Sequence, residues 1–178
     1  MSNGERLGYW DAKYKAETLM IVLQPHCQAM ELAGSLRRQK DVVNDIEIVI
    51  IPNQQMDLFG NKYYLVEPIR QALLANSYVI VKGGDRYIQA TRLGVQYDIF
   101  IASLETFGCV FMIRTGSAAF SRRMVTPKRH GGYCPDELYF QDGRLWRCGN
   151  DKPLNTPTER DVFDALGIDW ISPEKREV

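Results

Sequence analysis

The stretch NDIEIVIIP sets Asp45 and Glu47 one residue apart in a run that is otherwise apolar and largely β-branched. Side chains along a strand alternate faces at about 3.3 Å per residue, so the two carboxylates project from one face about 6 to 7 Å apart. A third acid, Asp98, interrupts a second run of the same kind, VQYDIFI. If the two strands are neighbours, about 4.8 Å apart, the three carboxylates form one cluster. Like charges so close repel unless a cation stands between them. Hard oxygen ligands without supporting His or Cys suit Mg²⁺ or Mn²⁺ better than zinc. Two such ions about 3.5 to 4 Å apart can carry phosphoryl transfer. Taken alone, the acids have a plainer reading: a half-exposed strand facing water, with Asp98 paired to an arginine.

Eleven residues upstream of Asp45, Gly34 and Ser35 fall where a strand turns. Exposed amides and a hydroxyl at such a turn can bind phosphate oxygens, and the glycine lets a phosphate approach the chain. Arg37 and Arg38 follow, and one of them can supply the planar fork that suits a triphosphate. Each feature singly is explained by a plain turn or a solvated face. Their order ahead of Asp-x-Glu is what makes a phosphate site worth carrying forward.

The elements that must position these groups are legible in outline. Apolar spacing over Asp11 to Leu23 predicts a helix ended by Pro25, and a short strand follows near Met30 to Ala33. LRRQK suits a helical turn, Asp45 to Ile51 a strand, and Val66 to Leu74 an amphipathic helix. KGGDR is expected at a hairpin tip, where glycines tolerate positive φ. CVFMIR reads as a strand giving way at Thr115-Gly116-Ser117 to a helix reaching about Lys128. Tyr133 to Arg147 reads as a hairpin around Asp142-Gly143. Thr156-Pro157-Thr158-Glu159 predicts the last helix, with proline first and a Thr-x-x-Glu box, and Gly167 stops it.

Bulk properties exclude several classes. The 178 residues suffice for one domain, or a larger and a smaller subdomain, and 45% hydrophobic with 25% charged residues is a globular composition. Twenty-two basic residues balance twenty-two acidic ones, so no long-range field draws the chain to DNA or an anionic membrane. No apolar run of roughly 18 residues and no leader-like start is seen, so a cytoplasmic protein without membrane contact is expected. Cys27, Cys109, Cys134 and Cys148 lack Cys-x-x-Cys spacing and read as reduced thiols, and His130, Cys134 and Cys148 match no standard zinc spacing.

Gly-Ser, two arginines, Asp-x-Glu and a later strand acid together resemble the nucleotidyltransferase superfamily, in particular the X-family DNA polymerases. KGGDRY, YDIFIASLETFG, RTGSAAF and TPTERDVFDALGIDWISPEKRE extend the resemblance, which runs from about Ala16 to Glu177. It implies an α+β fold: a nucleotidyltransferase palm with a mixed, largely antiparallel sheet backed by helices over residues 1–113, then a small α/β thumb over 114–178. It further implies that Asp45, Glu47 and Asp98 hold two Mg²⁺ or Mn²⁺ ions, with Asp98 nearest the primer 3′-hydroxyl. Ser35 and Arg38 would bind the β- and γ-phosphates of a nucleoside triphosphate, Gly34 would permit close approach, and Asn44 would lie beside the first acid, where a glycine is common. Thr115, Gly116 and Ser117 would follow the nucleotide's sugar. The next helix would bring Phe120, Ser121, Arg122 and Arg123 to the base and template DNA. On physical grounds too, Arg114 to His130 is the best polyanion surface, with five Arg or Lys and no acid.

Departures accompany the resemblance. Glu47 stands at an acid position more often Asp, and Ile113-Arg114 stand where an aromatic pair commonly selects the sugar. Ser121 replaces an asparagine. The stretch ahead of the palm is too short for the lyase and helix-hairpin-helix units of such polymerases, so DNA affinity is expected to be weak or assisted by a protein partner. The leading expectation is a DNA polymerase activity extending a primer from dNTPs, in short-gap repair or in a mobile element. A nucleotidyltransferase acting on RNA, a protein or a small molecule comes next, then a catalytically silent nucleotide- or DNA-binding module, then a structural protein with no nucleotide partner.

Overall fold

The computed structural model describes residues 6–150 and 152–177. A short strand, β1 (Leu7–Gly8), leads into helix α1 (Tyr9–Leu23), then β2 (Cys27–Leu32), the single helical turn α2 (Gly34–Arg37), β3 (Val42–Val43) and β4 (Ile46–Pro52). A hairpin of β5 (Gln54–Met56) and β6 (Lys62–Tyr64) precedes helix α3 (Glu67–Ala75). Strands β7 (Val79–Gly83), β8 (Tyr87–Arg92) and β9 (Val95–Ile101) then run as a meander. The C-terminal part holds α4 (Phe107–Thr115), α5 (Ala118–Val125), the hairpin β10 (Leu138–Gln141) and β11 (Arg144–Arg147), and α6 (Glu159–Leu166).

Five strands form the main sheet in the order β2-β4-β9-β8-β7. Only β4 and β9 pair in parallel; the other neighbours are antiparallel. The mixed, largely antiparallel sheet expected from the sequence is therefore the one observed. The fold is α+β. Leu93-Gly94 and Asp142-Gly143 each form a two-residue connection with positive φ at both positions, the geometry that matches the twist of paired strands.

One face of the sheet is covered by α1 and α3. Ala12, Ala16, Leu19 and Leu23 of α1 and Ile69 and Leu73 of α3 recur every three or four residues, so they share a stripe that meets Ile46, Ile48, Ile50, Ile88, Ala90 and Ile99. Burial of each large aliphatic side chain there is worth about 1.5–3 kcal/mol. The opposite face carries Glu47, Val49, Asp98 and Phe100, because strand alternation sends these residues the other way. Beyond the acids that face is covered by α4, whose Phe111 packs with Val49, Phe100 and Ala102.

Several expectations are corrected here. CVFMIR belongs to helix α4 and not to a strand. Its residues are apolar on nearly every side because Phe111 serves the sheet while Cys109 and Met112 serve the C-terminal cluster of Phe120, Met124, Leu145, Val162, Phe163 and Leu166. An all-round apolar run masks helical periodicity. The last helix is capped two residues later than predicted: Thr158 is the N-cap, and its box partner is Asp161. Gly167 ends that helix in the left-handed region, as expected.

Candidate active site

Register brings the sequence-distant acids together. Glu47 of β4 is the direct partner of Asp98 of β9 in the parallel pair, so their side chains leave the same face side by side. Asp45 lies in the bend just before β4, where the sequence suggested the strand itself, and exposed Asn44 precedes it. Among the described residues no three or more His, Cys, Asp or Glu side chains make a preformed metal cage. Asp98 is 7% exposed, and its carboxylate is hydrogen-bonded on both oxygens. Its Oδ1 accepts from the Tyr87 hydroxyl at 2.6 Å and from Gln89 at 3.3 Å, and its Oδ2 accepts from Gln96 at 2.9 Å.

The electrostatics of the group are those of partly buried acids set close together. Burial, followed by the charges of Asp45 and Asp98, pushes Glu47 up to about 7, against the pull of Arg38 and Arg114. Burial and then Asp98 also raise Asp45, opposed by its own backbone amide and by Arg38.

The turn after β2 lies directly on this site. Ala33 donates its N–H to the Glu47 carbonyl, which docks the start of α2 against β4. Gly34 takes φ +60, and a Cβ there would stand 1.8 Å from Glu47 Oε2. The Ser35 hydroxyl is buried and has no hydrogen-bond partner. Gly34→Ala is expected to cost about 1–3 kcal/mol through left-handed strain and displacement of Glu47, measured by chemical denaturation. An unchanged midpoint would show that the carboxylate swings aside freely.

The two arginines divide their tasks in a way the sequence did not disclose. Arg37 turns inward: its guanidinium grips Glu159 of α6 through two bonds of 2.8 and 2.9 Å, donates to the Thr115 hydroxyl and stacks 3.8 Å over Phe111. Arg176, fully buried, reaches Glu159 from the C-terminal segment at 2.6 Å, and Trp170 donates to the same carboxylate at 3.1 Å. From sequence, Glu159 carries only a helix-capping role and Arg176 none. Arg38 is the arginine beside the acids; it donates to the Thr115 carbonyl and pairs with Glu177 at 2.8 Å.

The remaining predicted positions sort by burial. Thr115 is buried, and its hydroxyl donates to the Phe111 carbonyl, so its side chain does not face a ligand. Gly116 has φ +72 against Arg38, and Ser117 caps α5 while donating to the Arg176 carbonyl. Phe120, assigned to DNA contact, is 1% exposed and stacks near Phe163, so it belongs to the core of the C-terminal part. Its position on the buried stripe of α5 is the reason. Ser121 turns its hydroxyl to the Ile113 carbonyl. Arg122 and Arg123 are exposed, Arg123 lying 4.5 Å over the Tyr133 ring. Exposed Arg114 stacks 4.1 Å over Phe100. A cleft of about 660 Å³ opens there, bounded by Phe100, Val110, Ile113, Arg114, Arg144 and Trp146; the three acids do not line it.

A five-stranded mixed sheet with paired acids, followed by a small helical and hairpin-bearing part, defines the architecture. Residues 111–177 match the family model described as DNA polymerase beta thumb. The chain is similar to a DNA polymerase lambda of Rattus norvegicus, 27% identical over 159 residues, covering 81% of this chain and 28% of that protein. It is also similar to a DNA polymerase lambda of Arabidopsis thaliana, 24% identical over 166 residues, covering 82% of this chain and 31% of that one. Over about four-fifths of its length the chain is thus similar, at low identity, to DNA polymerases lambda, and its C-terminal part to the DNA polymerase beta thumb. It spans about three-tenths of the length of the curated relatives it matches.

Proposed function

We propose that this chain is a metal-dependent nucleotidyltransferase of the cytoplasm, acting as a DNA polymerase that adds nucleotides from dNTPs to a primer 3′-hydroxyl. Residues 1–113 serve as palm and 114–178 as thumb. The observation that carries the proposal is the Glu47–Asp98 register pair lying under the Gly34-Ser35 turn. Divalent ions fit this donor set on two counts: Glu47 is driven toward protonation by burial and then by the charges of Asp45 and Asp98, and the Ser35 hydroxyl is buried without a partner. Asp45, Glu47 and Asp98 would hold two Mg²⁺ or Mn²⁺ ions. Such ions supply charge neutralisation for in-line displacement at a phosphoryl group.

The protein's own groups do the positioning. Asp98 would lie nearest the primer hydroxyl and take its proton as that oxygen bonds to the α-phosphorus and the bond to the leaving pyrophosphate breaks. Ser35 and Arg38 bind the terminal phosphates, Arg38 exchanging Glu177 for a phosphate oxygen. Gly34 admits the triphosphate because any larger residue would strike Glu47. Arg122 and Arg123 supply the exposed cations for the template backbone. A primer-extension panel comparing single-stranded, recessed and gapped DNA and RNA primers, with dNTPs and NTPs, tests the proposal. Extension of DNA primers with dNTPs is expected; adducts on other acceptors without primer elongation would overturn it.

Metal binding should also be visible in stability. Glu47 has a folded-state value near 7 against an ordinary 4.5. Its contribution to stability is thus complete below about 4.5 and lost as pH rises through about 7. Mg²⁺ replaces the missing positive charge only where the carboxylate is ionised. Melting curves should therefore show Mg²⁺ raising the midpoint by at least about 2 °C at pH 8 and much less at pH 5. Glu47→Gln should erase the difference. Equal shifts at both pH values would place the ion elsewhere.

A further inference from the structure

The tip between β5 and β6 has no part in the site above. Leu58 is 101% exposed and Phe59 89% exposed, side by side at the end of the hairpin, with Met56 also outward. Apolar side chains of this size standing fully in water, next to one another, mark a surface that something else covers. The tip is not a loose loop. Asp57 Oδ1 accepts the N–H groups of Phe59 and Asn61, both at 2.8 Å, and Oδ2 accepts the Asn61 amide at 3.0 Å. The Asp57 carboxylate is consumed in holding this turn.

The segment from Gln54 to Gly60, QQMDLFG, carries no basic residue and one internally bonded acid. It therefore offers nothing to a phosphate backbone or an anionic lipid surface. What it offers is an exposed amide at Gln55 and, three residues on, an adjacent Leu-Phe pair. Those are the elements of a short docking segment: two apolar anchors for a pocket and a side-chain amide that hydrogen-bonds at its rim. The bonded turn presents both anchors already ordered, so docking has little further ordering to impose on them.

We infer that the Gln55–Phe59 tip is the docking segment for a sliding clamp, the class of ring-shaped protein that encircles duplex DNA. This rests on the polymerase reading, and the chain's charge supports it. With a net charge of zero the chain has no long-range hold on DNA, and a clamp supplies residence on the duplex at high effective concentration. Such rings present an apolar pocket to a short segment of enzyme, the chemistry that Gln55, Leu58 and Phe59 match. The placement permits simultaneous work. Glu47 is the second residue of β4, and the hairpin begins beyond Pro52 at its other end, about 17 Å along the strand. A docked ring leaves the acid face open.

The test is surface plasmon resonance of the full chain against purified sliding clamps of the two-subunit and three-subunit kinds. One kind is expected to bind, and the Leu58→Ala/Phe59→Ala double variant to lose at least about tenfold in affinity. Both side chains are exposed, so the variant should melt like the wild type and extend primers on clamp-free gapped DNA unchanged. Asp98→Asn should bind the clamp normally, which separates this inference from the polymerase reading: loss of turnover leaves docking standing, and loss of docking leaves turnover standing. Absence of binding to either ring overturns the inference. So does a double variant whose affinity falls for naked DNA instead, which would make the tip a wedge for nucleic acid.

Discussion

Asp98→Asn is expected to lower Mg²⁺-dependent primer extension on the order of 10³-fold or more, with the fold intact. Asparagine keeps the size of the side chain and an oxygen that can accept from Tyr87, whose hydroxyl lies 2.6 Å from Asp98 Oδ1. It removes one negative charge from a face where Glu47 is already pushed up to about 7 partly by that charge. The variant should therefore melt at or slightly above the wild-type temperature while losing the ability to hold cations. That combination of lost chemistry and kept stability distinguishes a ligand from a structural acid. Single-turnover extension of a gapped primer at saturating dNTP is the measurement. Wild-type extension by the variant would remove Asp98 from the reaction.

Glu159→Ala is expected to destabilise the protein by about 3–5 kcal/mol, because it strands a buried guanidinium. Arg176 is 0% exposed and Glu159 6%, so neither can recruit water once its partner is gone. Burial works to raise the Glu159 pKa, yet hydrogen bonds from Arg176 and Arg37, with their charges, outweigh it and hold the group at about 2. Against the ordinary 4.5, the difference corresponds to about 3 kcal/mol. A depressed carboxylate stabilises fully above about pH 4.5, and its contribution is withdrawn as the pH falls toward 2. Chemical denaturation at pH 7 and pH 3 should show the wild type and the variant far apart at the first and converging at the second. Since Arg37 comes from the turn beside the acids, the same variant should also loosen α6 from that turn and reduce extension. A loss of stability below about 1 kcal/mol would show that the carboxylate is not what holds the two arginines in place.

The acids and their alternation were readable because strand geometry is local. Glu47 and Asp98, each inside a β-branched run, take their faces from strand alternation, whereas Asp45 falls in the bend just before β4 and only its nearness to Glu47 is local. The same holds for Gly34 and the Asp142-Gly143 turn, where glycine takes positive φ; the KGGDR tip does join β7 to β8, but neither of its glycines takes positive φ. The helical turn at LRRQK and the helices at α1 and α3 followed from spacing and proline. Helix α4 was misread because tertiary burial on two sides, against Phe100 and against Phe163, demands apolar residues all around it and erases the periodic signal. Phe120 was assigned to DNA for a related reason: a basic helix also has a buried stripe, and spacing alone does not say which face meets the core.

By itself, then, the chain's order of residues determined most of the individual strands and helices, the three acids, the glycine turn and the balance of charge, since each is set by composition or by neighbours a few residues away. Only the folded molecule decided that Glu47 and Asp98 are register partners, that Arg37 is spent on Glu159 while Arg38 stays by the acids, and that Leu58 and Phe59 stand bare. Such outcomes depend on pairings across about 50 to 140 positions of chain, where one partner's charge or volume is met by a residue that no local period predicts.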